Sequence, residues 1–344
     1  MADVGFGIIG SGNMARVYAD ALATQVEGGR FVATAGGTRA PGFAADYGAE
    51  AEASTDALLA RPDVDVVVIA TPHSTHLALA TAAAEAGKHI YLEKPMALDV
   101  AECDQIIEAC RRAGVVLTIA KQTRYMQMSM KAKELIDAGE IGELRYIRPM
   151  SPISGLGIAA GNHWSEKPGE GNGFLDWGSH CCDALRWFTG SDAVRVYADM
   201  DNFSGMPSAD PTAVVQIRMA NGVIAQVFMC FEVPTPGIGT NSNNQYFFMG
   251  SEGMLEFDLD CVRLGRGEAW ETVWELPTWI NPLQPSNPRR IGNSARQVQE
   301  FIDALREGRP PKITGEDGRA AIEMSQAATL SARTGRAVDL PLAV

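Results

Sequence analysis

The chain opens with an apolar run, Val4 to Ile9 (VGFGII), that passes straight into Gly10-Ser11-Gly12-Asn13-Met14-Ala15. No other feature limits the possible folds as strongly. A short apolar run reads as a strand, and G-x-G-x-x-A reads as a tight turn into a helix. Gly10 permits the turn, Gly12 lets backbone approach a pyrophosphate, and Ala15 keeps the helix close to the sheet. The N–H groups at the start of that helix then face an anion. The order strand, loop, helix predicts a dinucleotide site with Gly10, Ser11, Gly12, Asn13 and Met14 around the phosphates.

The following segments continue the same plan. Strand-like runs recur at 31–35, 64–70, 89–92 and 115–120, and helical stretches at 13–26, 75–86 and 100–113 fall between them. Residues 64–70 (VDVVVIA) are nearly all apolar, as in strands buried on both faces. Asp99 and Glu102 have the spacing of an N-cap acceptor and its partner in the first turn. This alternation predicts an α/β domain, a doubly wound parallel sheet over residues 1–121.

After residue 121 the pattern changes. A helix at 127–138 is followed by a strand at 144–148 and a Gly/Pro/Ser-rich stretch at 149–173. A helix then carries FLDWGSHCCDALRW (174–187). Residues 194–265 are strand-rich, and Asn221-Gly222 is a hairpin signal. Helices are expected at 294–307 and 316–333. Residues 122–344 therefore read as a second, α+β domain with a large, mostly antiparallel sheet. Segment 316–344 is expected to pack back toward the first domain. A chain of 344 residues suits two domains.

Composition serves mainly to exclude. Lys and Arg total 29 against 42 Asp and Glu, a net charge of −13, which argues against nucleic acid as a partner. No apolar run approaches the ~20 residues that span a bilayer. The start, Met1-Ala2-Asp3, has no basic region or apolar signal core, so a cytoplasmic location and no membrane partner are expected. Six cysteines without a C-x-x-C pair read as free thiols rather than a disulfide framework or a zinc site.

A dinucleotide site usually has an acidic residue about 20 positions beyond the loop, on the adenosine ribose. Here the second strand ends Ala35-Gly36-Gly37-Thr38-Arg39. No carboxylate is present to repel a 2′-phosphate, and Arg39 has the charge and fork to bind one. Thr38 and Arg39 thus point to NADP ahead of NAD; the alternative is a solvated loop arginine. Ligands in open α/β sheets sit outside the carboxyl ends of the strands. That rule places Thr71, Pro72, His73 and His76, and also Glu93 and Lys94, beside the cofactor. Lys94 is suited to donate to a substrate hydroxyl, against the alternative of a surface lysine at a turn. His73 and His76 read equally as helix caps or as neighbours of the adenine.

Taken together, GIIGSGNMA (7–15), ATPHSTH (70–76), EKPMA (93–97), GFLDWGSHCCD (173–183) and SARTGRAVDLPL (331–342) resemble the glucose–fructose oxidoreductase / inositol dehydrogenase / MocA family. The resemblance implies a Rossmann domain and an open-faced second sheet through which copies pair as homodimers or homotetramers. It also implies NAD(P)-dependent oxidation or reduction of a hydroxyl on a sugar, cyclitol or related polyol. The family's EKP lysine falls on Lys94, and its Asp and His pair on Asp176 and His180. Its N-x-R-[FY] stretch falls on Gln122-Thr123-Arg124-Tyr125, with Gln122 in place of the usual Asn and an unusual Lys121 before it. Arg124 and Tyr125 are carried over as substrate contacts and Gln122 as a cofactor contact.

On a continuous helix, Asp176, His180, Asp183 and Trp187 share one face, and Trp177, Cys181, Leu185 and Phe188 another. The first face reads as reactive. His180 is placed to accept the alcohol proton, and Lys94 to donate to the same oxygen. Asp176 would bind a neighbouring hydroxyl or steer the imidazole. His163, in the Gly/Pro-rich stretch, is the rival acid/base, and Trp164 a candidate platform for a sugar ring. Other classes stay open: redox-neutral elimination with transiently reduced bound NAD, or a sensor of NAD(P) without turnover. A metal enzyme lacks a complete ligand set in the sequence.

Overall fold

The computed structural model describes residues 3–152, 170–171, 173–203, 205, 211–233, 245–258, 260–276 and 288–342. They divide into two compact units, Met1–Tyr125 with Pro282–Arg319, and Met126–Asn281 with Ala320–Val344. The division is thus not a single cut at residue 121. Residues 282–319 belong with the first unit, a placement that reading segments in order does not supply.

The first unit alternates strand and helix: β1 (Val4–Ile9), α1 (Asn13–Thr24), β2 (Gly29–Ala35), α2 (Ala40–Tyr47), β3 (Glu50–Ala51), α3 (Thr55–Leu59), β4 (Val66–Ile69), α4 (His76–Glu85), β5 (His89–Leu92), α5 (Val100–Ala113) and β6 (Leu117–Ile119). The six strands are parallel, in the order β3-β2-β1-β4-β5-β6. Strand order reverses between β1 and β4, the switch point where such sheets hold their ligands. All four residues of β4 are buried, as expected of a strand covered on both faces. α5 begins as its sequence predicts. The Asp99 side chain accepts from Glu102 N at 2.8 Å, and Glu102 accepts from Leu98 N at 3.0 Å. Gly114 ends the helix in the left-handed region, at φ 67°.

In the second unit, α6 (Gln127–Asp137), β7 (Leu144–Pro152), a π-turn at Phe174–Gly178 and α7 (Ser179–Thr189) precede a run of strands. These are β8 (Ala193–Asp201), β9 (Thr212–Met219), β10 (Ile224–Cys230), β11 (Gln245–Gly250), β12 (Met254–Phe257), β13 (Cys261–Arg266) and β14 (Ala269–Glu275). Asn221-Gly222 joins β9 to β10, with Gly222 at φ 91°. Two long helices follow in the chain, α8 (Pro288–Glu307), which belongs to the first unit, and α9 (Gly315–Thr334), which belongs to the second from Ala320 on; β15 (Val338–Asp339) completes the second unit. The nine strands are ordered β14-β13-β12-β11-β7-β10-β9-β8-β15; β7 and β10 are parallel and the other pairs antiparallel. In β9 buried and exposed residues alternate, so one face of the sheet carries the core and the other does not. Phe188 of α7 packs into that core, its ring 4.8 Å from Phe248.

Candidate functional site

The β1–α1 loop is built for close approach. Gly10 has φ 116°, and a Cβ there would stand 2.4 Å from the Ala70 carbonyl oxygen, so only glycine fits between the ends of β1 and β4. Gly12 is the N-cap of α1 and brings no side chain to the first-turn N–H groups, which leaves them open to an anion. Ser11 Oγ donates to Gly36 O at 3.3 Å and ties the loop to the end of β2. Thr38 and Arg39 follow on that end and are exposed. A Cβ on Gly12 would lie 3.9 Å from Arg39 Nη2, so the guanidinium stands over the glycine loop. These residues fit a dinucleotide phosphate group: two bare glycines, open N–H donors and a nearby cation.

The ends of β4 and β5 lie at the same carboxyl edge. Thr71 and Thr75 share a hydroxyl hydrogen bond of 2.7 Å, and Pro72 beside them is exposed. His76 is fully enclosed, with Nδ1 2.9 Å from Pro95 O and Nε2 3.1 Å from Thr71 O. Its ring ties the two strand ends together. His73 is buried against it, the ring centroids 5.8 Å apart. Glu93 is also buried. One carboxylate oxygen accepts from Tyr18 Oη at 2.5 Å and the other from Lys94 N at 3.0 Å. Burial raises the Glu93 pKa, opposed by the Lys94 charge and these hydrogen bonds. Burial also pushes the Tyr18 hydroxyl well above its ordinary value, so it stays a donor. Glu93 thus holds the Lys94 backbone, and Tyr18, which no spacing argument singles out, is its partner. Lys94 is half-buried, and the bond to Pro95 is cis.

The stretch after β6 meets a distant segment of the chain. Gln122 Nε2 donates to Ser294 Oγ at 3.0 Å. Arg124 pairs with Asp317 at 3.2 Å and donates to Lys312 O at 3.2 Å. Tyr125 is buried and its hydroxyl donates to Glu300 at 3.4 Å. These three side chains bind segment 288–319 to the rest of the first unit. No local pattern announces these contacts, because each partner lies more than 170 positions away along the chain.

In the second unit the π-turn at 174–178 breaks the continuous helical phase assumed for Asp176 and His180. π-turns of this kind recur at functional sites. Asp176 is buried and His180 half-buried. Trp177, expected on the opposite face, packs edge-on against His180 with centroids 6.2 Å apart. Asp183 is fully enclosed. Cys181 packs in the core as its spacing predicts, and Cys182 joins it there, 3.9 Å from Ser325 Oγ. His163 and Trp164 lie outside the described residues. Among the described residues, no group of three or more His, Cys, Asp or Glu is arranged to hold a metal.

A family model described as an oxidoreductase family with an NAD-binding Rossmann fold matches residues 4–121, and the GFO/IDH/MocA C-terminal domain matches 129–256. The chain belongs to the GFO/IDH/MocA oxidoreductase family. Among members, it is 26% identical over 298 residues to the myo-inositol 2-dehydrogenase of Thermotoga maritima, with 82% of each chain covered. It is 26% identical to the scyllo-inositol 2-dehydrogenase (NAD(+)) of Bacillus subtilis, over 97% of this chain and 95% of that protein. The aldose-aldose oxidoreductase of Caulobacter crescentus, solved with glycerol, superposes with a TM-score of 0.83 at 25% identity, over 98% of this chain and 100% of that one. As a GFO/IDH/MocA protein, the chain is an oxidoreductase with an NAD-binding Rossmann domain.

Proposed function

We propose that this protein transfers a hydride between a nicotinamide dinucleotide, NADP ahead of NAD, and a hydroxyl or keto carbon of a sugar, cyclitol or related polyol. The observation that carries this is within the first sheet. β1 and β5 are parallel, so the glycine loop after β1 and Lys94 after β5 emerge at one carboxyl edge. The inositol dehydrogenases and the aldose-aldose oxidoreductase among the relatives support the substrate class. Arg39 over Gly12 supports the 2′-phosphate.

The nicotinamide, when bound, accepts or supplies the hydride. In oxidation the His180 imidazole takes the alcohol proton as the C–H bond breaks and the carbonyl forms. Lys94 is suited to donate a hydrogen bond to a substrate oxygen and to stabilise negative charge developing there. Asp176 holds a neighbouring hydroxyl or fixes the imidazole. In reduction the His180 proton returns to the oxygen.

The test has two steps. A thermal-shift screen with NAD+, NADP+, NADH and NADPH should raise the melting temperature, most with the phosphorylated pair. A sugar and cyclitol panel should then change absorbance at 340 nm, and His180→Ala should lower kcat by ~10²-fold or more. A fully active His180→Ala protein would remove the imidazole from the mechanism. Cofactor retained through turnover with no net absorbance change would overturn the dehydrogenase assignment.

A further inference from the structure

Arg290 stands in the first turn of α8, 276 positions from the glycine loop. Its Nη2 donates to Met14 Sδ at 2.8 Å. Met14 is the second residue of α1, next to the open N–H groups at the end of the loop. Both residues belong to the first unit. A thioether is a weak acceptor, and a guanidinium carries five donors in a planar fork. Among the described residues Arg290 makes no ion pair and no other hydrogen bond. Its charge does reach the buried Glu93 carboxyl, where it is one of the smaller influences opposing the rise caused by burial. Both Glu93 oxygens, however, already accept from Tyr18 and Lys94. A half-buried cation with a poor partner therefore stands where a helix N-terminus and two bare glycines already favour an anion.

We propose that Arg290 binds the pyrophosphate of the dinucleotide, exchanging its thioether contact for phosphate oxygens. This rests on the dinucleotide site proposed above. The fork suits paired N–H···O contacts with a phosphate, and the sulfur contact given up is weak. Arg290 and Arg39 would divide the work: Arg39 reads the 2′-phosphate that separates NADP from NAD, and Arg290 the pyrophosphate they share. Segment 288–319 would then be part of the cofactor site, joined to the rest of the first unit by Gln122, Arg124 and Tyr125.

The experiment is calorimetric titration of the full chain and its Arg290→Gln and Arg290→Lys variants with NADP+, NAD+ and ADP-ribose, with melting temperatures of the ligand-free proteins. Arg290→Gln should weaken all three ligands by a common factor of about tenfold or more, the scale of a lost charge-assisted hydrogen bond. Arg290→Lys should recover part of the loss, because it keeps the charge without the fork. Unchanged ADP-ribose affinity in Arg290→Gln would overturn the proposal. So would equal losses in both variants with matching falls in melting temperature, which would mark a packing role. Failure of the unaltered protein to bind ADP-ribose would instead overturn the dinucleotide site, and this proposal with it.

Discussion

The two sheets of this protein solve burial differently. β4 of the first unit has four consecutive buried residues, Val66 to Ile69. β9 of the second alternates, with Ala213, Val215, Ile217 and Met219 in the core and Val214, Gln216 and Arg218 exposed. A strand covered on both faces has no side chains to spare for chemistry, so a parallel sheet carries its chemistry where backbone leaves the strand. Arg39, Glu93 and Lys94 all sit at such ends. A sheet open on one face can carry polar side chains along the strand itself. There Tyr146 donates to Gln226, Arg263 pairs with Glu256, and Arg148 lies over the Phe247 ring. Charge is thus confined to an edge in one unit and spread over a face in the other.

The strongest test of this contrast uses adjacent valines. Val67→Asp and Val68→Asp should each cost about 4 kcal/mol or more, because either carboxylate is buried without a partner. In β9, Val215→Asp should cost as much, whereas Val214→Asp should cost about 1 kcal/mol, the scale of strand preference alone. Chemical denaturation of the four variants reads this directly. An equally large loss at Val214 would show that the second sheet is covered on both faces.

A smaller effect is expected at the exposed end of β2. Arg39→Ala should raise the dissociation constant for NADPH about tenfold, the scale of one charge-assisted contact, and leave NADH unchanged. Equal weakening of both would take the 2′-phosphate away from Arg39. The smallest effect belongs to Glu93, the buried charge at the same edge. Its folded pKa is raised, chiefly by burial. The folded chain therefore binds its proton more tightly than the unfolded chain does, and stability should fall as pH rises from the ordinary carboxylate range through the raised value. Glu93→Gln should flatten that part of a stability-against-pH curve. A curve of unchanged slope would mean that the carboxylate is better solvated than its surroundings indicate.

Local patterns were legible where the physics is local. The glycine loop, the Asp99 cap, the Asn221-Gly222 turn and the alternation in β9 each depend on residues a few positions apart. For the same reason the reading of FLDWGSHCCDALRW was only partly correct. The apolar stripe through Cys181, Leu185 and Phe188 does enter the core. One π-turn was enough to bring Trp177 against His180, and periodicity cannot announce where a helix adds a residue to a turn. β7 likewise runs on to Pro152, into a stretch whose glycines, prolines and serines read as loop, because pairing with β10 and β11 satisfies its backbone.

By itself, then, the sequence determined the order of strands and helices, the phosphate loop at the first turn, and the two kinds of sheet. Tertiary structure decided that residues 282–319 return to the first unit, that Gln122, Arg124 and Tyr125 serve to hold them, and that His76 braces two strand ends. It also decided that β7 and β10 run side by side in parallel at the middle of the second sheet. The reason is that hydrophobic period and turn chemistry act over a few residues. Which distant hydroxyl, amide or carboxylate a side chain meets depends on how whole elements bury their apolar faces together.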